Sequence, residues 1–292
     1  MKGILLAGGS GTRLYPATQV ISKQLLPVGD KPMVYYPLSV LLQAGIQEVL
    51  VISTPRDLPT YQELLGDGSQ FGMRLEYKEQ PKPEGLAQAY LLAEEFLAGG
   101  PSCLILGDNV FYGDGLEEEV QEAAKLEKGG VIFGYRVSDP ERYGVVEFDD
   151  KGNVLSIEEK PKHPKSHFAL VGIYFFDGRA VQAAKEAKPS ARGELEITEI
   201  QNWYLREGTL AVRRLDRGIA WLDTGTYESW LDASNFIMTI QKRQGLQVGC
   251  LEEIAYKKGF ITAGQVKEQG EKISKTAYGE YLLDLASGKL DI

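Results

Sequence analysis

The sequence predicts an α/β protein built on a largely parallel sheet, and two observations carry that expectation. Short β-branched or apolar runs alternate with helical periodicity through the first two-thirds of the chain, the pattern of successive βαβ units. Several of those runs lead directly into glycines or an aspartate, the residue types that open α/β sheets place at the ligand crevice beyond their strand ends.

Taken in order, strands are expected at Lys2–Ala7, Glu48–Ser53, Arg74–Glu79, Ser102–Leu106 and Val131–Val137, with helices between them at Pro32–Ala44, Asp57–Leu65 and Glu84–Leu97. The last helix would set Leu86, Tyr90, Ala93 and Leu97 on one core-facing stripe. From about Gly144 the texture changes. Gly144–Asp149 and Val154–Glu159 read as a hairpin turning at Asp150 and Gly152, followed by a strand at Phe168–Phe176. A helix around Leu195–Arg206, a strand at Leu210–Asp216 and a long helix from about Tyr227 to Arg243 come next. Leu246–Ile292 alternates short helical stretches with glycines at 249, 259, 264, 270 and 279. There is no internal repeat.

Composition narrows the class. The 292 residues are 43% hydrophobic and 25% charged, ordinary for a packed globular chain. The apolar runs are too short to cross a bilayer and the N-terminus resembles no signal peptide, so a cytoplasmic protein with no membrane partner is expected. A net charge of −9, without clustered Lys and Arg, speaks against nucleic acid as a partner. Two cysteines are too few for a disulfide framework or thiolate metal cluster. The two histidines, His163 and His167, lie in a Pro- and Lys-rich stretch poorly suited to a nucleophilic triad.

Four segments carry chemistry. Gly8-Gly9-Ser10-Gly11-Thr12-Arg13 follows the first strand and lets backbone N–H groups approach phosphate oxygens. It lacks the Gly-Lys-Ser/Thr of a Walker loop, and Leu14 occupies the third glycine position of a dinucleotide fingerprint. Arg13 and Lys23 on this long loop suit a triphosphate, although a surface loop with incidental charges would read the same. Asp108, after the apolar run ending at Leu106, and Asp223, in Trp221-Leu222-Asp223-Thr224-Gly225, are two hard oxygen ligands of the kind magnesium takes. Taken singly, each reads better as a helix cap or turn residue. In Glu158-Glu159-Lys160-Pro161, strand alternation lets only one glutamate meet a ligand, and Pro161 ends the strand so that Lys160 can swing toward it; a solvated charged edge is the other reading, and the residues alone do not choose between them.

Together and in this order, these segments resemble the sugar-1-phosphate nucleotidyltransferases. The hallmark loop reads Gly9-Ser10-Gly11-Thr12-Arg13-Leu14-Tyr15-Pro16, and Lys23-Gln24-Leu25-Leu26-Pro27-Val28-Gly29-Asp30-Lys31-Pro32-Met33 continues it. Gln80-Pro81, Gly85–Ala89, Leu106–Phe111, Arg142–Phe148, Glu158–Pro161, Pro189–Glu199, Ala220–Thr226 and Ser234–Ile237 extend the likeness over the whole chain, toward the bacterial members that use dTTP and glucose 1-phosphate.

The resemblance implies a Rossmann-like, mixed but mostly parallel sheet with helices on both faces, a sugar-binding β insertion and a C-terminal helical appendage. It implies a catalytic domain over 1–244, its nucleotide-binding part about 1–110 and its sugar-binding part about 111–225, and a regulatory tail over 245–292. Gly8, Gly9, Gly11, Thr12 and Arg13 would hold the triphosphate, with Arg13 and Lys23 on the leaving pyrophosphate; Gln80 and Gly85 would read the pyrimidine. Asn109, Gly144, Glu159, Val171 and Tyr174 would line the glucose, Lys160 and Arg192 would take its phosphate, and Asp108 and Asp223 would hold Mg2+.

The implied reaction transfers a thymidylyl group by in-line attack at the α-phosphorus, opening dTDP-deoxysugar synthesis. A phosphate dianion needs no general base, which suits the scarcity of histidine. A uridylyltransferase and a non-catalytic regulatory relative are the alternatives; retention of Arg13, Lys23, Asp108 and Asp223 weighs against the second. For the tail, with Leu251, Ile254, Ile261, Val266, Tyr281, Leu282 and Leu285, the expectation is packing on the main domain or another subunit, in a homotetramer inhibited by a dTDP-sugar.

Overall fold

A computed structural model describes residues 1–9 and 11–290. In chain order its strands are β1 (Lys2–Leu6), β2 (Pro27–Val28), β3 (Lys31–Pro32), β4 (Glu48–Ser53), β5 (Arg74–Glu79), β6 (Ser102–Leu106), β7 (Asn109–Gly113), β8 (Gly130–Arg136), β9 (Gly144–Phe148), β10 (Val154–Glu159), β11 (Phe168–Phe176), β12 (Leu210–Arg214) and β13 (Ile219–Asp223). The helices are α1 (Tyr35–Gln43), α2 (Leu58–Leu65), α3 (Gln88–Leu92), α4 (Glu94–Leu97), α5 (Leu116–Ala124), α6 (Ala180–Glu186), α7 (Ile197–Arg206), α8 (Tyr227–Gln244), α9 (Leu251–Lys257), α10 (Ala263–Lys272) and α11 (Ala277–Ala286).

The main sheet runs β10-β9-β11-β6-β1-β4-β5, with β8 beside β11 and β12 beside β8. Its β6-β1-β4-β5 half is parallel, while β11 runs against β6, β8 and β9. Of the parallel strands, β1, β4 and β6 are largely apolar because both faces are covered, whereas the edge strand β5 exposes Arg74, Glu76, Lys78 and Glu79. Along β1, Ile4 and Leu6 face one helical layer and Leu5 faces the other, the period-two alternation of a pleated strand. One layer is α1, α2, α5 and α9; the other is α3, α4, α6 and α7. Each fully buried Leu, Ile, Val or Phe in these layers contributes about 1.5–3 kcal/mol.

Three expectations need correction. The helix expected at 84–97 begins only at Gln88 and breaks at Ala93. Its first residues pair with Leu195 instead: Leu195 N–H donates to Glu84 O over 2.7 Å, and Ala87 N–H to Leu195 O over 2.9 Å. Gly85, at φ 113°, passes so close to the Leu195 backbone that a side chain there would clash. The helix expected from Pro32 starts at Tyr35, since Lys31–Pro32 is engaged with Pro27–Val28 in the small β2–β3 hairpin. The tail does not lean wholly on the main domain. Ile261, Val266, Tyr281, Leu282 and Leu285 close a small core with Cys250 and Ala255, while Leu251 enters the main core and Ile254 packs against it.

Four strands were not expected at all: β2 and β3 of the small hairpin, and β7 and β13. β7 starts immediately after Asp108 and pairs antiparallel with β13, a two-stranded ribbon outside the main sheet. Only the two turn residues Gly107 and Asp108 separate β7 from β6.

Candidate active site

β1 and β6 are parallel neighbours with Leu6 opposite Leu106, so the glycine loop and Asp108 leave the sheet side by side. The loop folds back over that edge. Gln24 Nε2 donates to Gly8 O over 3.2 Å, and Ser22 Oγ joins Gln24 and the Tyr61 hydroxyl. This return places the buried Lys23 Nζ 2.7 Å from Asp108 Oδ2, while Asn109 Nδ2 donates to Asp108 Oδ1 over 2.9 Å. Burial would push the Asp108 carboxyl up, yet Lys23 and Asn109 hold it below the ordinary aspartate value.

Asp223 arrives from the far end of the chain through the β7–β13 ribbon, where it stands opposite Asn109. Thr224 locks the approach by donating Oγ1–H to Asp108 O over 2.8 Å. Arg142 Nη2 lies 3.3 Å from Asp223 Oδ2. Even so, burial and the neighbouring Asp108 charge raise the Asp223 carboxyl, outweighing Lys23, Arg142 and Arg13. Two adjacent carboxylates, one disfavoured as an anion, make a place a cation would relieve. Among the described residues no cluster of three or more His, Cys, Asp or Glu forms a closed metal cage. Two aspartates are a donor set that would suit magnesium, which keeps waters and takes substrate phosphates.

Two cavities meet here, and Asp108 and Arg13 line both. The first lies along the glycine loop, between Gly8, Gly9, Gly11, Thr12, Lys23 and Gly225. Arg13 is exposed, and among the described residues no carboxylate forms an ion pair with it. The second is walled by Asn109, Gly144, Glu159, Lys160, Tyr174 and Asp223, together with Thr198 and Gln201 of α7.

The Glu-Glu-Lys turn is resolved by the pleat. Glu158 pairs with Lys165 over 2.6 Å, and Glu159 lines the cavity. Lys160 takes a left-handed backbone at φ 42°, a conformation a non-glycine residue holds at a cost of order 1–3 kcal/mol. That turn brings its Nζ 3.6 Å from Glu159 Oε1. Burial raises the Glu159 carboxyl and Lys160 only partly opposes it.

Some expected site residues stand elsewhere. The Val171 side chain is buried in the opposite core layer, because β11 alternation gives the cavity Leu170, Gly172 and Tyr174; only the Val171 backbone could serve a ligand. Gly85 lines neither cavity and packs on Leu195. Gln80 is buried, with its Nε2 donating to Gln88 Oε1 over 2.7 Å and its Oε1 lying against Gly8. Arg192 sits beside the cavity, with Nη2 2.7 Å from Glu196 and 3.6 Å from Glu159.

Arg142, Thr198, Gln201 and Trp221 were not singled out from the sequence. Trp221 was legible in part, since it shares the Asp223 segment; its Nε1–H donates to Asn109 Oδ1 over 2.6 Å. Gly172 N–H donates to the same oxygen over 3.2 Å, at an irregularity in the β11–β8 register.

The model of the nucleotidyl transferase family matches residues 2–240. The chain belongs to the nucleotidyl transferase family. Among relatives, it is 58% identical over 285 residues to a glucose-1-phosphate thymidylyltransferase of Neisseria gonorrhoeae, covering 98% of this chain and 99% of that protein. It is 54% identical to the protein of that name from Mycolicibacterium smegmatis, again over 98% and 99%. Among solved structures, a protein of Bacillus anthracis carrying that name, with sucrose bound, superposes at a TM-score of 0.76 and 42% identity over 82% of this chain and 95% of its own. A UDP-glucose pyrophosphorylase with UDP-glucose matches in fold at a TM-score of 0.72 and 21% identity, covering 83% of this chain and 99% of its own. In this nucleotidyl transferase, no helix among the described residues is long and apolar enough to cross a membrane.

Proposed function

We propose that the chain transfers a thymidylyl group from dTTP to α-D-glucose 1-phosphate, giving dTDP-glucose and pyrophosphate. The observation that carries this reading is the meeting of two cavities at Asp108 and Arg13, one glycine-walled and cationic, the other of mixed polar and apolar walls that include Glu159, Asn109 and Tyr174. The names of its close relatives support the substrates.

The chemistry is an in-line displacement. A phosphate oxygen of the sugar phosphate bonds to the α-phosphorus of dTTP, the bond from that phosphorus to the bridging oxygen breaks, and pyrophosphate leaves with its electron pair. Bringing a dianion to a triphosphate is the obstacle, so positioning and charge neutralisation make up the catalysis. Arg13 and Lys23 take the charge that develops on the pyrophosphate, and Lys160 with Arg192 draws in the sugar phosphate. Magnesium held by Asp108 and Asp223 would supply further charge neutralisation between the two substrates. Gln80, beside Gly8, reads the pyrimidine edge.

The reading extends to regulation. A cleft separate from the catalytic cavities lies among Ser39, Gln43, Glu117, Gln247, Lys257 and Lys258, between α1, β7 and the tail. There a dTDP-deoxysugar effector would bind, in a homotetramer.

The test is an initial-rate matrix of dTTP, UTP, ATP and GTP against glucose-, galactose- and mannose-1-phosphate, read by pyrophosphate release with magnesium. Turnover confined to pyrimidine triphosphates and led by glucose 1-phosphate is expected; an enzyme inert with dTTP and glucose 1-phosphate would sink the reading.

A further inference from the structure

Gln201 stands out among the residues lining the sugar cavity. It is fully buried, and neither its Nε2 nor its Oε1 has a hydrogen-bond partner. Among the described residues, no other wall residue of that cavity leaves a buried side-chain nitrogen or oxygen unpaired. Its setting makes the amide conspicuous: Ile197, Ile200 and Tyr204 of the same helix belong to the apolar core. A buried amide left without partners is costly, and a methionine of similar length would fill the place without that cost.

The helix also explains where the amide stands. Thr198 and Gln201 are three residues apart on α7 and so share one face, the face turned to the cavity. Thr198 comes up against Gly144: a side-chain carbon on that glycine would sit 3.3 Å from the Thr198 methyl and 3.4 Å from Glu159 Oε2. Glu159, Gly144, Thr198 and Gln201 therefore form one continuous wall, away from the Arg13–Asp108 end where the phosphates meet.

We propose that Gln201 is a sugar-recognition residue whose carboxamide takes a vicinal pair of hydroxyls on the hexose. A carboxamide sets one acceptor beside a donor, and adjacent hydroxyls offer the complementary pair. The inference rests on the sugar-phosphate reading above and deepens it: the hexose completes hydrogen bonding that the protein alone leaves open. An epimer at either contacted carbon presents only half of that match, so Gln201 also sets which hexose is accepted.

The experiment compares wild type with Gln201→Met and Gln201→Glu, using glucose 1-phosphate and its 2-, 3-, 4- and 6-deoxy analogues with dTTP. Gln201→Met should lower kcat/KM for glucose 1-phosphate by about 10- to 100-fold, the range that one buried hydrogen-bonding group commands. KM for dTTP should stay unchanged. The loss should vanish for analogues lacking a hydroxyl at one or two adjacent positions and persist for the rest. Without sugar phosphate, the Gln201→Met protein should melt at or above the wild-type temperature, because an unpaired amide has been removed. Added glucose 1-phosphate should raise the melting temperature of wild type more than that of the variant. Equal losses on every analogue, or a variant as active as wild type, would overturn the assignment. A Gln201→Met protein that melts lower without ligand, with unaltered discrimination, would also overturn it and mark the glutamine as structural. The wild-type rates judge the substrate reading separately: a wild type that rejects glucose 1-phosphate refutes that reading, whereas the ratio of variant to wild type judges Gln201.

Discussion

Asp223 stands opposite Asn109 in the β7–β13 ribbon, and so its carboxyl reaches the neighbourhood of Asp108 from more than a hundred residues along the chain. The register of two short strands, outside the main sheet, thus assembles the acidic centre. Asp108→Ala and Asp223→Ala should each reduce turnover to near background at saturating magnesium, while circular dichroism shows a folded protein. Full activity in either variant would remove the proposed metal site.

Arg13 differs from Lys23 in having no ion-pair partner among the described residues. Arg13→Ala is therefore expected to change stability by no more than about 0.5 kcal/mol, as surface substitutions do. Its effect should fall on the reaction, lowering kcat by about 10²–10³, comparable to losing one preorganised donor to a developing oxyanion. If KM for dTTP rises while kcat holds, Arg13 binds ground state and transition state alike.

Gly8 and Gln80 lie against each other: a Cβ on Gly8 would collide with Gln80 Oε1. Gly8→Ala should displace the Gln80 amide and cut kcat/KM for dTTP by about 10-fold or more, a loss of about 1–3 kcal/mol from one disturbed buried hydrogen-bonding group. In a Gln80→Ala background the same substitution should cost much less, because the two residues act through one contact. Additive losses would show that Gly8 acts independently of the base.

Asp177, just beyond β11, predicts the acid limb of stability. Burial would raise its carboxyl, but Arg179, the Gly129 N–H at 2.7 Å and the Tyr204 hydroxyl at 2.7 Å hold it at about 2. Its folded value thus lies below the unfolded value of about 3.9. The stabilisation is then present above the unfolded value and lost as pH falls through about 2. Asp177→Asn should cost about 2–3 kcal/mol at pH 7, and the deficit should narrow as the pH drops from about 4 toward 2. Urea unfolding across that range provides the check; a deficit independent of pH would contradict the assignment.

The tail cleft supplies the last prediction. Lys257 and Lys258 line it, and neither lines a catalytic cavity. Lys257→Ala should leave the uninhibited rate within about twofold, since it is remote from the chemistry, and weaken inhibition by dTDP-rhamnose. Light scattering should report a tetramer. Inhibition abolished wholly by excess dTTP would mean competition at the catalytic site, since allostery requires two distinct sites with coupled affinities.

Much of this molecule was legible along the chain because it is local. The parallel strands β1, β4 and β6 are short apolar runs bounded by turns, and the glycine loop, Lys23, Asp108 and Asp223 sit in contiguous motifs with recognisable chemistry. What the sequence by itself determined was the layered α/β fold and most of the charged groups proposed to meet the phosphates. The tertiary structure alone decided which of those groups share a cavity. The β7–β13 pairing is non-local, and no periodicity within Asn109–Gly113 indicates that its partner lies at Ile219–Asp223. The Val171 side chain falls outside that cavity and Gln201 lines it for the same kind of reason. β11 is covered on both faces, so its pattern does not say which face lines the sugar cavity, and α7 buries an amide among Ile200 and Tyr204 where polarity alone would have suggested solvent. Side-chain direction on an element follows from its own period, but what that direction meets depends on elements brought there by the fold.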